Sequence, residues 1–248
     1  MEIKNNPTGR LFDILTVAKK SNDQAHTRAV WSSTLGCGAT DTAALLNALA
    51  DLNKLVAEAK DATMRLVPGD QAIYLAPFPR IESMLNLLNF DNPWQGSKAH
   101  LDEKTMLGLQ FGDHALSFHY GQKQFDDDSI EDFIRQLDEL LQQCINSGLS
   151  ENLKKLFLRN LEDLRHALMV FKISGASGLE DQIDRVTGSI VRHAEEIKAS
   201  TSDSTNKEFT DKVFDLITKL NESVQIVQNT VALAAPAATG LAIFLQHF

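Results

Sequence analysis

Apolar side chains in the second half of the chain recur at alternating spacings of three and four residues, the period of one face of an α-helix. The clearest runs have apolar residues at 130, 133, 137, 140 and 144, at 157, 161, 164, 168 and 171, and at 179, 183, 186 and 190. Alternating three-four spacing on helices with short connections is typical of antiparallel bundles. No segment sustains a period of two, so the sequence predicts an all-α fold with an antiparallel bundle of long helices.

The first half shows the helical period in shorter pieces. A helix is predicted directly after Thr8. Two more are predicted after Thr40 or Asp41 and after Asp102, since these residues can cap a helix N-terminus. The segment 73–79 contains two prolines and is predicted to be an extended connector, leading into a helix over 80–88.

Helix boundaries in the second half are predicted from capping residues and breakers. Gly148 is expected to stop one helix and Ser150 to start the next. Gly175 is expected to turn the chain. Capping-box pairs are predicted at Ser129–Asp132, Ser177–Glu180 and Thr205–Glu208.

The last long helix has an apolar stripe that continues toward the C-terminus. Its members are Val213, Ile217, Leu220, Val224, Val227 and Val231. We expect this stripe to be the surface that binds a partner. The predicted organisation is an N-terminal region of short helices (1–122), a helical bundle core (123–199) and a C-terminal helix with an apolar tail (200–248).

The apolar tail is the least ordinary feature of the sequence. Residues 231–245 read VALAAPAATGLAIFL, and no charged residue follows Glu222. A helix of this length would reach about 22 Å, short of the roughly 30 Å hydrocarbon core of a bilayer, and Pro236 would interrupt it. Burial in protein, in the fold or in an oligomer, is therefore favoured over contact with a membrane, which stays the alternative.

Composition and net charge limit the classes of partner and the cellular locations that fit this chain. The chain has 248 residues and a formal net charge of -9, and an acidic surface repels phosphates, so no nucleic-acid partner is expected. Two cysteines are too few for a disulfide framework, and the N-terminus has no apolar core of a secretion signal. These features favour a cytoplasmic protein, peripheral to or anchored in a membrane if the tail meets lipid.

The sequence contains no catalytic signature. The nearest candidates are His26, Cys37, His114 and His119, which an enzyme would have to gather from distant segments. No pair of histidines has the i, i+4 spacing that suits a metal on one helix face, so neither a metal site nor a cofactor is expected.

Three functions follow, in order of preference. The first is a non-enzymatic helical interaction protein, an adaptor, regulator or inhibitor that binds a protein partner or itself through its C-terminal helix and tail. The second is a membrane-acting effector that uses residues 231–245. The third is an enzyme built on the four His and Cys candidates.

Overall fold

A computed structural model of the protein describes residues 3–120 and 127–228. These two ranges form helices and no strand, which confirms the predicted all-α class. The helices are α1 (Pro7–Lys19), α2 (Thr27–Thr34), α3 (Thr42–Leu66), α4 (Ala72–Leu75), α5 (Pro77–Asn86), α6 (Gln95–Lys98), α7 (Glu103–Ser117), α8 (Asp127–Asn146), α9 (Glu151–Met169), α10 (Phe171–Arg192), α11 (Ala194–Ser200) and α12 (Ser204–Gln228). The chain divides into two compact units, Lys4–Gln122 and Lys123–Phe248 together with Met1–Ile3.

The N-terminal unit is built around α7, which packs against α1, α3, α4 and α5. Predicted caps start two of its helices. The Asp41 carboxylate accepts a hydrogen bond from Ala44 N at 2.9 Å, and the Asp102 carboxylate accepts one from Thr105 N at 2.8 Å. Asn6 caps α1, and its side chain accepts a hydrogen bond from Gly9 N.

The predicted extended connector over 73–79 is wrong, because this segment is helical. It forms the short helix α4 and the first turn of α5. Pro77 is the first residue of α5, where its missing N–H has no helical partner to lose and its fixed φ suits the helix. Pro79 lies in the same first turn and is tolerated for the same reason.

The C-terminal unit is a four-helix arrangement. Each of α8, α9, α10 and α12 contacts two of the others, in the cyclic order α8, α9, α10, α12. The buried side chains of these four helices form a single hydrophobic core. Residues 204–228 therefore belong to the same core as the helices that precede them.

Three predicted N-caps of this unit are wrong. Ser177 lies inside α10, after the bend at Gly175, and its hydroxyl donates a hydrogen bond to the carbonyl oxygen of Ser174. Ser129 lies inside α8, which already includes Asp127, and Asp132 is paired instead with Arg135 and Gln136. At the start of α12 the cap is Asp203, whose carboxylate accepts from Thr205 N at 2.8 Å. A carboxylate caps the amides and also favours the positive end of the helix dipole, an advantage over Thr205 at this position.

The predicted breaks around α9 and α10 are confirmed. The Ser150 hydroxyl accepts from Leu153 N at the start of α9. Gly175 has φ 65° and ψ -166°, and bends α10 after its first turn. Side-chain-bearing residues essentially never adopt this backbone conformation, so glycine fixes the bend.

Candidate interaction surfaces

The predicted partner-binding stripe of α12 lies inside the core of its own unit. Its five members within the described ranges are all buried: Val213, Ile217, Leu220, Val224 and Val227. The sixth, Val231, lies outside the described residues, as does the predicted tail over 231–245. The regular stripe of α12 is therefore used to close the four-helix core.

The outward side of α12 is polar. Glu208 pairs with Lys212 at 2.7 Å, and Asp215 pairs with Lys219 at 2.6 Å, both one helical turn apart. Exposed pairs of this kind add only a few tenths of a kcal/mol each. Their place on the surface follows from the burial of the opposite face.

His26 is held by the loop that precedes α6. Its Nδ1 lies 2.9 Å from the carbonyl oxygen of Asp91, which can only accept, so Nδ1 is the donor. The Thr27 amide and hydroxyl both donate to the carbonyl of Asn92 at 2.9 Å. His26 thus contributes to the attachment of this loop to α2.

The surroundings of Cys37 disfavour the reactive thiolate form of its side chain. Burial, and then the nearby Asp41 carboxylate, raises the pKa of its thiol, so the protonated form dominates at neutral pH. The Cys37 Sγ lies 3.8 Å from the carbonyl oxygen of Leu35. No cation accompanies it among its described contacts.

His114 and His119 lie on and just after the last turn of α7, and both are exposed. His114 packs edge-on against the ring of Phe118, with centroids 5.3 Å apart. In the described ranges no hydrogen bond or ring contact joins any two of the four proposed catalytic residues. The same ranges contain no group of three His, Cys, Asp or Glu side chains that could hold a metal ion.

The outer face of α7 is an exposed apolar surface that the sequence analysis did not predict. Leu107, Phe111 and the C-cap residue Phe118 are 45%, 42% and 72% exposed, and their spacings of four and seven residues place them on one side of the helix. We call these three residues the α7 stripe. Large apolar side chains aligned along an exposed helix face mark an interaction surface more often than the same residues scattered singly.

Two glycines fix which face of α7 points inward. A Cβ at Gly108 would lie 2.5 Å from Pro77 Cγ, and one at Gly112 would lie 2.9 Å from Thr8 Cγ2. The backbone of α7 therefore approaches α5 and α1 too closely for any side chain at these positions. Because rotation about the helix axis is fixed by these contacts, the α7 stripe is held toward solvent.

Polar groups lie at the two ends of the α7 stripe. Glu103 and Lys104 are exposed at its N-terminal end, and His114 and His119 are exposed at its C-terminal end. The stripe itself carries no charge. Its ends therefore differ in charge character, with a carboxylate and an ammonium at one end and two imidazoles at the other.

Comparisons of the chain with protein-family models, with curated proteins and with solved structures gave no match.

Proposed function

We propose that this protein is a non-enzymatic helical interaction protein that acts by binding a protein partner. The observation that carries the proposal is the α7 stripe, which offers two aromatic rings and a leucine on a helix whose orientation is fixed by close packing. Aromatic side chains, phenylalanine among them, are enriched in the buried cores of protein–protein interfaces relative to the rest of the surface. The apolar run over 231–245 is a second element for association in the same proposal.

The predicted role of α12 changes in this proposal. Its buried stripe serves as structural support, and an association through Val213 to Val227 would require the core to open. A surface that is already exposed needs no such rearrangement, which favours the α7 stripe as the first contact.

A cytoplasmic location belongs to the same proposal, with membrane contact through residues 231–245 as the alternative. Among the helices within the described ranges, none is both long enough and apolar enough to cross a bilayer. Liposome flotation with neutral and anionic vesicles tests the alternative. Flotation of the full chain, but not of a 1–228 variant, would support membrane contact in place of protein binding by the tail.

The direct test is affinity capture from the host cell, followed by mass spectrometry, with four versions of the protein. These are the wild type, Phe111→Asp, a 1–228 truncation, and Leu87→Asp as a matched control. Leu87 is 72% exposed in the same unit, outside the α7 stripe. The control therefore adds the same charge to the same unit without touching the stripe.

We expect one reproducible partner with the wild type and Leu87→Asp, and its loss with Phe111→Asp. Loss only in the 1–228 truncation would assign the binding to the tail rather than to α7. An identical set of captured proteins from all four versions would contradict the proposal. Circular dichroism of each variant establishes that a lost partner is not the result of unfolding.

A further inference from the structure

We draw no further inference here: the strongest candidate, the exposed apolar face of α7 that carries Leu107, Phe111 and Phe118, already belongs to the proposed function, and nothing in the described ranges shows what covers it.

Discussion

Replacement of Leu220 by Ala tests whether the stripe of α12 is core or free surface. Leu220 is 0% exposed in the four-helix unit. Removal of three buried carbons loses their transfer free energy and leaves a cavity, so we expect a loss of about 3–5 kcal/mol in the free energy of unfolding. For a unit of this size the melting temperature should fall by roughly 12 °C or more.

The assay can separate the two units. Both tryptophans, Trp31 and Trp94, belong to the N-terminal unit, where they pack edge-on with ring centroids 5.4 Å apart. Tryptophan fluorescence therefore follows the unfolding of that unit, whereas far-ultraviolet circular dichroism follows the helices of both. Leu220→Ala should lower the midpoint of the circular dichroism transition, and the tryptophan signal shows separately whether the N-terminal unit is affected.

The control is Ile226→Ala on the same helix, where the side chain is 51% exposed. Its expected cost is about 0.5 kcal/mol or less, because most surface substitutions fall in that range. Equal effects of Leu220→Ala and Ile226→Ala would refute the reasoning. Leu220 would then lie on a free face, and the stripe of α12 would again be a candidate partner-binding surface.

Four further predictions concern individual residues. Gly175→Ala should destabilise the C-terminal unit by about 1–3 kcal/mol in chemical denaturation, because a Cβ is strained at φ 65°; an unchanged midpoint would contradict a glycine-only bend. Asn160→Leu should raise the midpoint of chemical denaturation, because the buried Asn160 Nδ2 has no hydrogen-bond partner among the described residues. A lower midpoint would imply that this amide forms a hydrogen bond. Iodoacetamide should label only Cys37 in the native protein and should label Cys144 only after denaturation, because Cys144 is buried and burial raises the pKa of its thiol to about 11. Peptide mapping checks this. Labelling of Cys144 in the native protein would contradict its burial. Because this pKa lies above the ordinary thiol value of about 9, the contribution of the Cys144 thiol to folding is full below pH 9 and is lost as the pH rises toward 11. Chemical denaturation should therefore show the free energy of unfolding falling across that range in the wild type, and falling less in Cys144→Val.

Capping residues let the sequence locate most helices but not every first residue. Asp41, Asp102 and Ser150 act as predicted, because a side-chain oxygen next to free amides is a local interaction within four residues. Where two nearby residues could both serve, as with Asp203 and Thr205, the sequence alone did not choose correctly. The prediction of an extended connector over 73–79 failed for a related reason, since the effect of a proline depends on whether it falls in the first turn of a helix or later.

The all-α class, the glycine bend and the apolar period of each long helix could be predicted from the sequence, because they depend on interactions between residues a few positions apart. The surface that covers each apolar face could not be predicted, because it depends on how the helices pack. The regular stripe of α12 is buried in its own unit, whereas α7 has apolar residues on two faces and buries the one that carries Gly108 and Gly112. Periodicity shows that a helix face is apolar but not which surface covers it. For α7, the face that is buried depends on how closely Pro77 and Thr8 approach the helix backbone.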